Sequence, residues 1–362
     1  MSIITSFQKV SQYYHKADDA YNRLLLVAAA LGVVVLLMFL VIPNYDGRTS
    51  TDNIDTVSQK LLMCPQTASA EIVKPVESTI NTVKQISSID YEHEVYSGSG
   101  KRNMIPPVTQ TKFVNYSQLG KCFGLDQQVI VVSINGVTKV YPVTIVDYHI
   151  VINDSFGNVS VSIVRSPMSG LYRVFQSTVN GQNLVFAHSG DLYKNVDLLV
   201  DDKSDSLWTV VDGKAVVGVM TGATLSPLDF RLMNYAKAQS QYPNGKVMSF
   251  ETGYRRTYGV DPFLDFKKGN YLYQEPSHKS KVLNEMDSVI GFVVDGFHYA
   301  IPTARISSTS IYKATANDKE IRVTLDGGEY YAYFSNSRTN KIKLDYAYWY
   351  VWFDYYPDTK VL

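Results

Sequence analysis

The chain has 362 residues, 45% of them apolar, enough to bury a sizeable core, which excludes disorder throughout. Lys plus Arg and Asp plus Glu each number 34, so no net field draws nucleic acid or a strongly charged substrate, and nucleic acid is not an expected partner. The 27 tyrosines and 15 phenylalanines, set among many Val, Ser and Thr, favour strands over helices beyond the first 45 residues.

Residues 1–23, with Phe7, Val10, Tyr13 and Tyr14 among polar groups, read as a short cytoplasmic amphipathic lead-in. From Leu24 to Ile42 the run LLLVAAALGVVVLLMFLVI carries no charge. At the helical rise it is roughly 28 Å long, enough to cross a hydrocarbon core. The run is longer than the apolar region of a signal peptide and exits through Pro43-Asn44-Tyr45-Asp46, which predicts an uncleaved single-pass helix over 24–43. Lys9, Lys16 and Arg23 precede it, and Arg48 is the only base close behind it. The positive-inside rule therefore places the N-terminus in the cytoplasm and the rest of the chain outside. The cell membrane is thus the first expected partner.

Residues 44–110 mix Asp, Ser, Thr and Pro with short apolar patches and read as a stalk, with helices expected near 53–64 and 75–88. The two cysteines, Cys64 and Cys122, lie in no CxxC or His-rich setting, so no metal or other cofactor is expected. An extracytoplasmic domain permits a disulfide between them, and two unpaired thiols are the equal alternative.

After residue 110 apolar and polar residues alternate between turn dipeptides: Asn135-Gly136, Asn180-Gly181, Asp212-Gly213, Asp295-Gly296 and Asp326-Gly327. Each is a hairpin signal, because Asn or Asp before Gly tolerates the positive φ of a type I′ turn. Helical periodicity returns near Leu228–Gln241 and Tyr346–Tyr355. The expectation is a mostly β, β-rich α+β domain.

An internal repeat organises this domain. VIVVSINGVTKVYP from Val129 aligns without gaps with VIGFVVDGFHYAIP from Val289, so that Val129, Ile130, Gly136 and Pro142 recur 160 positions later. Asn153-Asp154 and Asn317-Asp318 follow in the same order, as do Tyr242-Pro243 and Tyr356-Pro357. Two duplicated halves are therefore expected, over 111–250 and 251–362. The first half is longer by an insertion within about 176–228, either a carrier of function or extra structural strands.

The candidate pocket residues are His149, Asn153, Asp154, Ser166, Ser189, Asp202 and Trp208. His149, between Asp147 and Asp154, suits a general base or ligand, against a structural role. Ser189, between His188 and Asp191 and before Gly190, invites a nucleophile reading. Sequence neighbours on a strand point to opposite faces, however, and no GxSxG elbow surrounds it. Trp208 is expected in the core or on a pocket wall. Ser166-Pro167-Met168-Ser169-Gly170 reads as a loop at a sheet edge rather than a phosphate cradle. Tyr346, Trp349, Tyr350 and Phe353 share a helical face, which favours core packing over carbohydrate binding.

Residues from about 105 onward resemble the domain of unknown function 3179 family of bacteria and archaea. The resemblance is carried by Val129–Pro142, His149 with Asn153-Asp154, Pro167 to Gly170 and Phe186 to Tyr193. Further matches are Asp202, Ser206-Leu207-Trp208, Tyr258, Asp261-Pro262, Val289–Pro302 and Pro357-Asp358-Thr359. It implies no activity, cofactor or substrate. Two departures push against an enzyme: Ile150 stands where the family usually has Glu, and Ser166 where it usually has Cys. The expectation is a membrane-tethered extracytoplasmic binding or scaffold module at the cell surface. The alternatives are a hydrolase-type enzyme with a cleft between the halves, lined by His149, Asp154, Ser166, Ser189 and Trp208, and a structural subunit of a surface assembly.

Overall fold

The computed structural model describes Cys64 and residues 86–98, 104–119, 122–268, 272–336 and 340–362. The expected lead-in, the span over 24–43 and most of the expected stalk lie outside these residues, as do its two expected helices except for Cys64 and for 86–88, which are not helical. Among the described residues no helix is long and apolar enough to cross a membrane. The fold is mostly β, with several sheets in a propeller-like arrangement.

Sheet I is built on the hairpin Gln128–Ile134 and Val137–Pro142. Its two-residue turn has φ of 51° at Asn135 and 80° at Gly136, the conformation that Asn-Gly favours. Arg231–Asn234 pairs antiparallel with the first strand, Lys246–Met248 pairs parallel with the second, and Phe113–Val114 completes the edge. Sheet IV repeats this order. Its hairpin is Ser288–Val294 and Phe297–Pro302, turned at Asp295-Gly296, with Asp345–Tyr348 antiparallel on one side and Lys360–Val361 parallel on the other. In each sheet the parallel strand is reached through a seven-residue helix, Tyr235–Gln241 or Trp349–Tyr355.

Sheets II and V are meanders. Sheet II runs through Val151–Phe156, Val159–Ser166 and Leu171–Gln176, with Ser226–Pro227 at its edge. Sheet V runs through Tyr312–Ala316, Lys319–Asp326 and Glu329–Phe334, with Lys341–Ile342 at its edge. Its last tight turn is Gly327-Gly328 rather than Asp326-Gly327, since Asp326 pairs with Glu329. Sheet III falls between the third and fourth strands of sheet II in sequence. It comprises Phe186–Tyr193, Val196–Asp201, Leu207–Thr209 and Ala215–Val217, all antiparallel. Two edges of sheet III are met by residues from the expected stalk: Val95–Ser97 pairs with Phe186–Tyr193, and Ser87 bridges to Val217. Val108 is likewise buried and bridges to Ile152. These residues lie against the sheets because their backbone groups supply partners that the sheet edges lack.

Leu228–Gln241 and Tyr346–Tyr355 depart from helix at their starts. Arg231–Asn234 and Asp345–Tyr348 are strands, because each lies beside the free edge of a repeated hairpin and ladder pairing overrides a helical pattern. Helix begins only at Tyr235 and Trp349. Cys64 and Cys122 form a disulfide across 58 residues.

The inner faces of these sheets are lined by Val, Ile and aromatic side chains, with Trp208, Trp349, Tyr141, Tyr235 and Tyr258 among the largest fully buried. One contact shows how sheet IV is filled. A Cβ at Gly291 would lie 2.3 Å from the Trp352 ring, so the indole lies directly on glycine backbone. The positions equivalent in the repeat are Val131 and Ala238, both buried in the core beside sheet I. The large and small members of the pair are exchanged between the two sheets.

Gly291→Val is therefore expected to destabilise the domain by about 3 kcal/mol through overpacking. Adding Trp352→Ala, which restores the Val and Ala pair of sheet I, should recover part of that loss. Thermal denaturation of both variants checks this, and a double variant no more stable than the sum of the single changes would refute the equivalence.

Candidate functional site

The candidate residues sit where sheets meet, and most of their polar atoms are already committed. His149 ends the helix Val143–His149 and is buried. Its Nδ1 lies 2.8 Å from the Pro106 carbonyl and its Nε2 lies 2.8 Å from the Tyr258 hydroxyl. A carbonyl can only accept, so Nδ1 carries the proton and Nε2 accepts from Tyr258. The Tyr258 hydroxyl in turn lies 2.7 Å from Thr252 Oγ1. Burial pushes the imidazole down to about 4, with the Pro106 carbonyl pulling the other way and the Arg256 guanidinium adding to the depression. His149 is thus neutral near pH 7 and joins the loop after sheet I, at Tyr258, to the segment ahead of sheet I, at Pro106.

The next residue, Ile150, has φ of +61° and ψ of −42° and is buried. A β-branched side chain at positive φ is strained, at a cost of about 1–3 kcal/mol. The strain is held by Ile150 N–H donating to the Val146 carbonyl at 2.6 Å and by Arg165 N–H donating to the Ile150 carbonyl at 3.0 Å. This reversal turns the chain from the helix straight into Val151–Phe156.

On that strand Asn153 acts as a piece of backbone. Its Nδ2 donates to the Phe186 carbonyl at 2.8 Å and its Oδ1 accepts from Phe186 N–H at 2.9 Å, which stitches sheet II to sheet III. Ser162 donates to the same Oδ1 at 3.1 Å. Asp154 points the other way, as alternation along a strand requires. Its carboxylate takes Lys139 Nζ at 2.9 Å, the Tyr141 hydroxyl at 2.7 Å and Thr111 Oγ1 at 2.9 Å.

Ser166 lies in a buried group with Ser169, Asp197 and His188. Ser169 Oγ donates to Ser166 Oγ at 2.6 Å, Ser166 Oγ donates to Asp197 Oδ2 at 2.5 Å, and His188 Nε2 lies 2.9 Å from Asp197 Oδ1. His188 Nδ1 is buried without a hydrogen-bond partner. Both serines are 0% exposed, Asp197 2% and His188 4%. In a nucleophile triad the imidazole sits between serine and carboxylate. Here the carboxylate sits between serine and imidazole, so His188 has no direct path to a serine proton. A second buried pair lies near Ser166: Arg165 Nε faces Asp147 Oδ1 at 3.2 Å, and its guanidinium stacks on Tyr172. Burial pushes the Asp147 carboxyl above its usual range, and Arg165 opposes that push.

The remaining candidates serve separate local roles. Ser189 Oγ accepts from Asp191 N–H at 3.0 Å at an irregularity in the strand Phe186–Tyr193. Asp202 Oδ1 accepts from Val185 N–H at 2.8 Å. Trp208 is in the core, its Nε1 donating to Asp201 Oδ2 at 2.9 Å. Trp349, Tyr350 and Trp352 are also buried, with the Tyr350 hydroxyl bonded to the Met168 carbonyl. His149, Asp154, Ser166, Ser189 and Trp208 therefore belong to five separate groups rather than one pocket. A shallow depression of about 10 Å³, room for roughly one water, is lined by Leu171, Arg173, Val211, Trp352, Tyr355 and Tyr356 among others, and by none of the candidate residues. Asp197, Ser169 and Asp201 were not singled out in the sequence. The available signal was a charge inside an apolar strand, since all of Val196-Asp197-Leu198-Leu199-Val200-Asp201 is buried.

The buried imidazole gives a pH dependence with a defined sign. Unfolded His149 takes up a proton near 6.5 and folded His149 only near 4. Its contribution to stability is whole above pH 6.5 and is lost as pH falls toward 4, by on the order of 3 kcal/mol. In His149→Gln the fall in melting temperature across that window should be shallower than in the wild type. An unchanged slope would rule His149 out as its source.

No curated protein and no solved structure matches this chain. The model of the family described as Protein of unknown function (DUF3179) matches residues 102–341, a span that holds the hairpin repeat, His149, Asn153 and the Ser166 group. The chain belongs to the DUF3179 family.

Proposed function

We propose that this chain is a membrane-tethered, extracytoplasmic member of the DUF3179 family whose folded domain serves as a binding or scaffold module at the cell surface. The helix over 24–43 is the tether, residues 1–23 lie in the cytoplasm, and the stalk expected over 44–110 gives way from Ser87 onward to chain paired with the sheets. Two copies of one unit follow, at 111–250 and 251–362, the first enlarged by 176–228. The shared strand order of sheets I and IV, and of the meanders in sheets II and V, supports the duplication.

The observation that carries the scaffold reading is the use made of the polar side chains. His149, Asn153, Asp154, Ser166 and Asp202 each hold two segments of chain together. The Cys64–Cys122 disulfide supports an oxidising compartment, because thiols of cytosolic proteins are normally kept reduced. For the reading as a structural subunit the surface offers less. Among the described residues the exposed large apolar side chains are mainly aliphatic, such as Leu125, Val219 and Val282, and exposed aliphatic side chains are normal on a monomer.

One observation favours a hydrolase as the second reading: Ser166 is hydrogen-bonded to a carboxylate that also holds a histidine, and Ser169 donates to Ser166. A fluorophosphonate probe on the purified full chain separates the two readings. The scaffold reading expects no label on either serine, and labelling of Ser166 or Ser169 would replace it with the hydrolase. Protease treatment of intact cells should digest the C-terminal domain, whereas protection of that domain would overturn the orientation.

A further inference from the structure

The chain contains three Asn-x-Ser tripeptides, at Asn115, Asn153 and Asn158, and such tripeptides are the acceptors of N-linked oligosaccharides outside the cytoplasm. The fold treats the three differently. Asn153 is 9% exposed, and both ends of its carboxamide are bonded to Phe186. A sugar on that nitrogen would have to lie inside the seam between sheets II and III. Asn115 is exposed, but its Oδ1 is held by Lys246 Nζ and its N–H by Gln118. Asn158 stands alone in its setting. It is the second residue of the two-residue turn between Val151–Phe156 and Val159–Ser166, after Gly157 at φ of +63°. Gly157 and Asn158 are both exposed, so the side chain leaves the tip of the hairpin into solvent.

We propose that Asn158 is a site of N-linked glycosylation, an inference that rests on the extracytoplasmic placement proposed above. The donor is an oligosaccharide joined through phosphate to a polyisoprenoid lipid, and a membrane oligosaccharyltransferase performs the transfer. The Asn158 amide nitrogen attacks the anomeric carbon. The new C–N bond forms as the bond from that carbon to the lipid-borne phosphate oxygen breaks. The phosphate leaves on the lipid with the bonding electron pair, and the amide proton passes to a base of the transferase. Asn158 keeps a negative φ, since it is not among the positive-φ residues of the domain, so neither the glycan nor a Gln in its place strains the turn.

The test uses the full chain isolated from the membranes of the cells that make it. Peptide mass spectrometry should find one oligosaccharide on Asn158 and an unmodified Asn153, and Asn158→Gln should lower the intact mass by that oligosaccharide while the protein remains folded. The same cells are treated with protease to report where the domain lies. An unmodified Asn158 on a protease-accessible domain overturns the glycosylation and leaves the placement standing. An unmodified Asn158 on a protected domain overturns both, and a glycan on Asn153 of the folded protein overturns the argument from the seam.

Discussion

The structure depends on how short sheets are closed against one another without leaving polar backbone unpaired. Each of sheets I to V has four or five strands, and the outermost strands of any such sheet carry N–H and C=O groups that the ladder leaves unpaired. Asn153 solves this at the junction of sheets II and III. Its carboxamide has the donor and acceptor geometry of a peptide group, so Phe186 finds on a side chain the two bonds that it lacks on the ladder. A buried group left unpaired costs about 1–3 kcal/mol, so one amide side chain spares that cost for two backbone groups. Sheets I and V meet through a charged version of the same device. Arg231 grips Glu329 with two bonds of 2.6 Å, while Tyr242 and Tyr331 also bond its guanidinium and Lys237 reaches Asp326. Sheets II and IV meet where Tyr348 N–H donates to the Ser169 carbonyl at 2.8 Å.

Some of the residues that carry the family resemblance lie at or beside these junctions. His149 and Asn153 lie on either side of Ile150, and the positive φ of Ile150 is what allows the helix to reverse into a strand within one residue. An unbranched side chain would be less strained at this backbone, so Ile150 makes the reversal at the higher cost of a β-branched residue. Ser166 similarly starts a tight loop whose last residue, Gly170, has φ of +78° and abuts the backbone of Ala347 and Tyr348. Ile150 and Ser166 thus stand at two positions whose backbone geometry is dictated by packing.

Much of the β architecture was legible because it is encoded locally. Asn135-Gly136, Asn180-Gly181 and Asp295-Gly296 all adopt the paired positive φ expected of them, although the strands before the first and last are each buried over four successive residues. Other features resisted local reading. The starts of Leu228–Gln241 and Tyr346–Tyr355 carry helical spacing, yet they pair as strands with hairpins that begin about a hundred or about sixty residues earlier. The turn at Asp326 shifts by one residue because the strand Glu329–Phe334 must set Glu329 against Arg231. Among candidate site residues, His149, Asn153 and Asp154 were visible as polar groups in an apolar setting. Their partners Pro106, Phe186, Lys139 and Tyr258 lie between 15 and 109 positions away, beyond the reach of any spacing rule.

The sequence by itself determined the hairpins, the repeat of Val129–Pro142 at Val289–Pro302 and membership of one family, because turn geometry and strand alternation depend on neighbouring residues. Only the tertiary structure decided that Cys64 meets Cys122, that Ser166 and His188 share Asp197, and that Asn153 is sealed in a seam while Asn158 stands in solvent. The physical reason is that a side chain's burial and partners are set by which distant strands close over it, and that closure is a property of the folded chain as a whole.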